Sequence, residues 1–273
     1  MTNKKFSIIV TAYNIDNYIE NCINSVKKQT YNNYELIIVD DCSTDDGKTV
    51  NKIIEFDNII FLQTVKNSGA GGARNQGIKN ATGDYIIFLD SDDALSSESI
   101  LENLNNLIGN DNPDIIYTGF KFIGGEEFSF IPNEENSSKE FRLAKNKFIN
   151  VWSICWNRTF LLSNNIKFSE NVIYEDVYFS FAGIALSKSY KYAPFITHDY
   201  TRERPGSTSN KTSNPEKHFK QANDTIKCIK DLCSLKNIID KEYIPYLLQR
   251  IHEQQSRLSI RLERGINCIF DNN

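Results

Sequence analysis

The stretch that decides the fold is Asp84-Tyr85-Ile86-Ile87-Phe88-Leu89-Asp90-Ser91-Asp92-Asp93. An unbroken apolar run of this length suits a strand covered on both faces. It ends abruptly in acid. Carboxylates crowded into one turn repel one another unless something neutralises them. Their hard oxygens suit Mg2+ or Mn2+, with phosphate oxygens as further ligands. The same turn also suits a plain helix cap.

Outward from this stretch the pattern repeats. Phe6-Ser-Ile-Ile-Val-Thr11, Glu35-Leu-Ile-Ile-Val-Asp40 and Ile59-Ile-Phe-Leu62 read as strands. Between them, residues 15–29 carry Tyr18, Ile19, Cys22, Ile23 and Val26 at helical spacing, and a second helix carries Val50, Ile53 and Ile54. Gly71 to Asn80 reads as a glycine-opened helix. Strands separated by helices of this length predict βαβ units and a mainly parallel sheet. Downstream, Ser97 to Ile108 reads as a helix, and Asp114 to Thr118 and Lys121 to Ile123 as strands. Residues 124–139 read as a loop or weak hairpin, and Tyr174 to Leu186 as an acid-entered helix. From Glu216 onward apolar residues recur at helical spacing.

Composition narrows the function. A net charge of −4 over 273 residues offers no basic footprint for nucleic acid. The six cysteines show no CxxC spacing, which argues against zinc and against a disulfide framework. The apolar run after Lys5 is too short for a signal peptide, and no segment has the length to span a bilayer. The expected location is the cytoplasm, with peripheral contact at the inner face of the plasma membrane as an extension of that expectation.

Ligands of parallel α/β sheets bind at the carboxyl ends of the strands. Three acidic clusters fall at or near such places. Asp40-Asp41-Cys42-Ser43-Thr44-Asp45 follows the second strand and can meet a base or ribose, or cap a helix. Asp90-Ser91-Asp92-Asp93 follows the fourth. Glu175-Asp176 opens a helix, where the dipole favours acid and where a carboxylate can remove a proton from a hydroxyl. Asn67-Ser-Gly-Ala-Gly-Gly-Ala-Arg-Asn75 can offer backbone N–H groups to an anion, although it is neither a P-loop nor a dinucleotide fingerprint. Arg74 in that run suits phosphate, base or open surface.

Taken in order, these segments resemble family 2 glycosyltransferases of the GT-A fold. The matches are Ser7-Ile-Ile-Val-Thr-Ala-Tyr-Asn14, Ser25-Val-Lys-Lys-Gln-Thr-Tyr31, Glu35 to Asp45, Asn67-Ser-Gly69, Ala73-Arg-Asn75, Ala81 to Asp93 and Tyr174-Glu-Asp176. The resemblance implies a Rossmann-like central sheet flanked by helices, with a C-terminal helical extension. It implies a catalytic domain over 1–212, made of a nucleotide-binding half (1–95) and an acceptor half (96–212), and an extension over 213–273.

The resemblance also assigns roles. Thr11, Ala12, Tyr13 and Asn14 line the donor pocket, with Asp41 at the base and Asn67, Gly69, Arg74, Asp90 and Ser91 around ribose and diphosphate. Asp92 holds Mn2+ or Mg2+ with Asp90 near it, and His198 is a candidate third ligand. Arg202, Arg204 and Ser207 close over the donor. Trp152 and Trp156 face the acceptor, and Asp93 joins them there, supports the acid turn or faces the donor sugar. Asp176 is the base, and Glu175 positions the acceptor. The implied reaction moves a sugar, with inversion, from a nucleotide donor (most simply a UDP-sugar) to a hydroxyl of a glycan or lipid-linked acceptor in surface-polysaccharide synthesis. A homodimer through the C-terminal helices is a further expectation. The chain departs from the family pattern at Thr11, where proline is usual, and at Cys42, where glycine is usual. The rival reading is a catalytically silent domain that binds nucleotide sugars or scaffolds an assembly.

Overall fold

The computed structural model describes residues 3–145, 150–202 and 215–270. The N-terminal half alternates strand and helix: β1 (Phe6–Ala12), α1 (Ile19–Lys27), β2 (Tyr34–Asp40), α2 (Lys48–Ile54), β3 (Ile60–Gln63), α3 (Gly69–Asn80) and β4 (Tyr85–Asp90). Then come β5 (Ala94–Leu95), α4 (Ile100–Ile108), β6 (Ile115–Ile123), β7 (Ser129–Phe130) and α5 (Lys139–Ala144). The chain continues through β8 (Ile154–Asn157), α6 (Arg158–Ser163), α7 (Glu175–Leu186) and β9 (Tyr190–Thr201) to the long helices α8 (Pro215–Ser234) and α9 (Ile244–Phe270).

One sheet runs through the molecule in the order β3-β2-β1-β4-β8-β6-β9-β5, with β7 added to β6. The β3-β2-β1-β4 half is wholly parallel, β8 runs against both β4 and β6, and β9 is parallel to β6. The sheet is therefore mixed, parallel where the sequence showed βαβ units. Alternate residues of the central strands enter two separate cores. Ile8, Val10, Ile87 and Leu89 pack with α1 and α4, and Ile9, Ile86 and Phe88 pack with α3 and α7. Cover on both faces is why these strands are apolar throughout.

Strand β9 is the main element absent from the sequence expectations. Pro194 sits inside it, and a proline removes a ladder donor. The β6–β9 register shifts between Tyr117 and Phe120, and this bulge absorbs the irregular stretch. Two expected strands, 114–118 and 121–123, are one bulged strand, β6. The 124–139 segment does form a short hairpin, with Phe120 opposite Phe130. The C-terminal helices pack on the face that holds α5 and α7, through Cys228, Leu232 and Leu247. Among the described residues no helix is long and apolar enough to cross a membrane.

Candidate active site

The carboxyl ends of β1, β2 and β4 meet at one edge of the sheet. Thr11 lies opposite Asp90, and Ala12 lies opposite Asp40. Tyr13 follows on the rim with 46% of its surface exposed, so its ring is free to face a ligand. Asn14 adopts φ 51°, donates its N–H to Ser43 Oγ, and accepts from Thr44 N at 2.8 Å. Its side chain thus ties the loop after β1 to the loop after β2. Cys42 has φ 60°, which explains why glycine is usual there: a side chain carries strain in the left-handed region.

Asp41 is buried, and its Oδ1 accepts from Thr64 Oγ1, Ser68 N and Ser68 Oγ, each at 2.9 Å. Asn67 donates to the Asp41 carbonyl. The carboxylate therefore fixes the entry to α3, and Gly69 begins that helix with φ 72°. Gly71 has a different task. A Cβ there would lie 2.2 Å from the Ser169 carbonyl and 3.0 Å from Glu175 Cβ. The missing side chain lets α3 approach the start of α7.

That approach puts Arg74 between two carboxylates. Its Nη2 is 2.8 Å from Asp90 Oδ1, and its Nη1 is 2.7 Å from Glu175 Oε1. Arg74 is buried, and the two acids hold its guanidinium well above the ordinary range. The expectation that Arg74 reaches phosphate or base is corrected: its fork is occupied by protein carboxylates. Burial pushes the Glu175 and Asp176 carboxyls up, against the pull of Arg74, and each has a further acid nearby: Asp176 for Glu175 and Asp90 for Asp176. The acid turn after β4 and the acidic start of α7 are thus one electrostatic unit.

Within the turn, Asp93 N donates to Asp90 O at 3.0 Å, Ser91 is buried and Asp92 is half-buried. Asp93 does not face an acceptor. It is 1% exposed, and its Oδ1 accepts from Thr201 N at 2.7 Å, which ties the end of β9 to the turn. His198, paired with Leu95 across β5 and β9, is buried. One ring nitrogen lies 2.7 Å from Thr197 Oγ1 and the other 3.3 Å from the Phe88 carbonyl. Both nitrogens are engaged, so the expectation of a metal ligand is corrected to a core histidine. Burial pushes its pKa down to about 4.

Trp156 is also corrected. It is fully buried, donates Nε1 to the Val151 carbonyl at 3.0 Å and meets Phe179 edge-on at 5.1 Å. A Cβ on Gly183 would lie 2.3 Å from its ring. It is core, not acceptor wall. Trp152 stacks on Tyr200 at 5.1 Å and meets Phe120 edge-on, close to the acid turn. Arg202 lies over the Phe122 ring, 4.8 Å from its centroid. Arg204 and Ser207 lie outside the described residues.

A sequence model of the family described as Glycosyl transferase family 2 matches residues 7–166, more than half of the chain. The chain belongs to glycosyl transferase family 2. Poly(ribitol-phosphate) beta-N-acetylglucosaminyltransferase TarP of Staphylococcus aureus is 30% identical over 239 residues, covering 83% of this chain and 72% of TarP. Glycosyltransferase GlyA of Streptococcus pneumoniae is 37% identical over 101 residues, which is 37% of this chain and 14% of GlyA. The putative teichuronic acid biosynthesis glycosyltransferase TuaG of Bacillus subtilis is 41% identical over 110 residues, covering 38% of this chain and 43% of TuaG. The chain thus spans well under two thirds of several curated relatives.

The crystal structure of S. aureus TarS 1–349 in complex with UDP-GlcNAc superposes with a TM-score of 0.71 at 22% identity, covering 93% of this chain and 72% of that one. At that identity the likeness speaks for the fold, which is GT-A with C-terminal helices. Among the described residues of this family member, no set of three or more His, Cys, Asp or Glu side chains is arranged to hold a metal. The carboxylates of the turn after β4 are hard oxygen donors of the kind that suits Mg2+ or Mn2+ together with substrate phosphates. Asp92, in the same turn as Asp90 and Asp93, is half-buried.

The sequence reading missed a group on α9. Arg250 is buried within electrostatic reach of Asp176, and Arg261 lies over the Tyr174 ring. The helix shows only as apolar spacing in the sequence. Its spacing of 250, 254, 257 and 261 was the available signal.

Proposed function

We propose that the protein is an inverting glycosyltransferase that moves a sugar from a UDP-sugar to a hydroxyl of a cell-surface polymer or its precursor. The observation that carries this reading is the Arg74 bridge. It joins the acid turn at the end of β4, where a nucleotide diphosphate binds in such sheets, to the Glu175-Asp176 pair. Donor end and base end are thereby held in one site. The TarS complex supports UDP-N-acetylglucosamine as the first donor to try, and the names of TarP and TuaG support a wall-polymer acceptor.

In this reading Tyr13 and Thr11 receive the nucleoside, and Asp41 shapes that pocket by pinning Ser68. Asp92, on a turn braced by Asp90 and Asp93, would hold a divalent cation. When bound, Mn2+ or Mg2+ supplies neutralisation of the charge that builds on the leaving diphosphate. The acceptor oxygen attacks the anomeric carbon as the bond to the diphosphate oxygen breaks, and Asp176 takes the hydroxyl proton. Glu175, locked on Arg74, orients the first turn of α7. A single displacement inverts the anomeric carbon, so an α-linked donor gives a β-linked product. The long chains of the relatives leave room for further domains, and peripheral seating at a membrane belongs to the same proposal.

The test is a thermal-shift screen of UDP-, GDP- and dTDP-sugars with and without Mn2+, followed by UDP release with phosphate-polymer and glycan acceptors. Selective stabilisation by one UDP-sugar and turnover with an acceptor are expected. Binding with no turnover across the panel would favour the silent nucleotide-sugar-binding domain.

A further inference from the structure

Tyr200 stands on β9 beside the acid turn, and the transfer reaction as described above gives it no part. Its place follows from the strand directions. Strands β4 and β6 each run against β8, and β9 is parallel to β6, so β9 runs in the same direction as β4. His198 Nε2 lies 3.3 Å from the Phe88 carbonyl, which fixes the level of one strand against the other. Two residues on, a strand returns to the same face about 6.6 Å farther along. That step takes β4 from Phe88 to Asp90 and β9 from His198 to Tyr200. Trp152 meets both His198 and Tyr200, as a shared face requires. Thr201 N, donating to Asp93 Oδ1 at 2.7 Å, pins the end of β9 at this level. Tyr200 packs against the core that holds Phe88 and Phe179, on the side of the sheet covered by α7. The first turn of α7 carries Glu175 and Asp176.

The ring of Tyr200 is held in place. It stacks on Trp152 at 5.1 Å with 15° between the planes, and Phe122, its partner across β6, lies 5.7 Å away. A phenylalanine would fill this stack as well, so packing does not account for the hydroxyl. The residue is half-buried, and its hydroxyl has no hydrogen-bond partner among the described residues. Burial, and then Asp93, Asp90 and Asp92, push its pKa up, so the phenol keeps its proton and donates.

We propose that the Tyr200 hydroxyl hydrogen-bonds the sugar of the nucleotide donor and helps to determine which sugar is accepted. The inference rests on the reading of the site given above, with the diphosphate at the acid turn and Asp176 as the base. In an inverting displacement the leaving and attacking oxygens lie on opposite sides of the anomeric carbon. The sugar therefore sits between the diphosphate and the base. Level with Asp90 and on the α7 side of the sheet, Tyr200 borders that interval. A neutral phenol suits a sugar hydroxyl or an acetamido oxygen. Held rigid, it disfavours a sugar that leaves it unpaired.

The test is calorimetric titration of UDP-N-acetylglucosamine, UDP-glucose and UDP, each with Mn2+, into the unaltered protein, Tyr200→Phe and Tyr190→Phe. Tyr200→Phe keeps the ring and its stack, so its melting temperature is expected to be unchanged. Tyr190→Phe removes the same hydroxyl from an exposed position at the other end of β9 and is the control. In Tyr200→Phe the affinity for at least one UDP-sugar is expected to fall about tenfold, with UDP affinity unchanged. The control is expected to bind all three as the unaltered protein does. Full affinity of Tyr200→Phe for both UDP-sugars overturns the proposal. A loss for UDP as large as for the sugar nucleotides also overturns it, since the hydroxyl would then serve the diphosphate. Failure of the donor reading looks different: the unaltered protein would bind neither sugar nucleotide, and the proposal would fall with that reading.

Discussion

Arg74 Nη1 sits 2.7 Å from Glu175 Oε1, across 101 positions of sequence, while its other terminal nitrogen holds Asp90. One cation therefore serves two acids that would otherwise be crowded together in a mostly buried place. Arg74→Gln is expected to destabilise the protein by about 3 kcal/mol, because it strands both carboxylates. Arg74→Lys is expected to lose less, since it keeps the charge but not the fork. Urea unfolding at neutral pH reads both. The double variant Arg74→Gln/Glu175→Gln should recover part of the loss, because one stranded charge is gone.

His198 sets an acid limit on stability. Its folded pKa is depressed to about 4 from 6.5, through burial. The unfolded chain therefore takes up the proton first, and the stability contributed is present above about 6.5 and lost as pH falls toward 4. The loss amounts to about 3 kcal/mol across that window. Unfolding midpoints between pH 7 and 4 should show the slope, and His198→Gln should flatten it. A metal-binding role would instead make His198→Gln lose a stabilisation that Mn2+ gives the unaltered protein, and leave the acid slope unchanged.

Trp156 acts through packing. Trp156→Ala is expected to cost about 3–5 kcal/mol. Gly183→Ala, which drives a methyl group into the same ring, is expected to cost about 1–3 kcal/mol. In whatever fraction remains folded, the Michaelis constant for acceptor should be unchanged. A selective rise in that constant with stability intact would return Trp156 to the acceptor wall.

Much of this was legible in advance, for physical reasons. The β1 to β4 half writes itself as apolar runs because both sheet faces are covered, and each run ends where the site begins. The acid turn and Glu175-Asp176 were visible because carboxylates rarely cluster without cause. What was hidden depends on tertiary approach. The run around Gly71 looked like an anion cradle, but Gly71 is small so that Ser169 and Glu175 can come close. Arg74 looked free until α3 met α7. Asp93 looked acceptor-facing and His198 looked like a metal ligand because sequence shows neither burial nor the partners on β9. The α9 arginines were masked by the apolar residues between them.

Asp92 carries the metal dependence. Mn2+ is expected to increase the thermal stabilisation given by UDP, and Asp92→Asn is expected to abolish that increment while leaving unfolding without ligand within about 0.5 kcal/mol, since the residue is only half-buried. Equal stabilisation by UDP with and without Mn2+ in the unaltered protein would remove the cation from the site.

The most direct measurement is UDP release by Asp176→Asn beside the unaltered protein, with UDP binding measured on both. Turnover is expected to fall by about 10²–10⁴, with UDP affinity preserved because the proposed nucleoside contacts are made by Thr11 and Tyr13 and not by Asp176. Unchanged turnover in Asp176→Asn would contradict its role as the base.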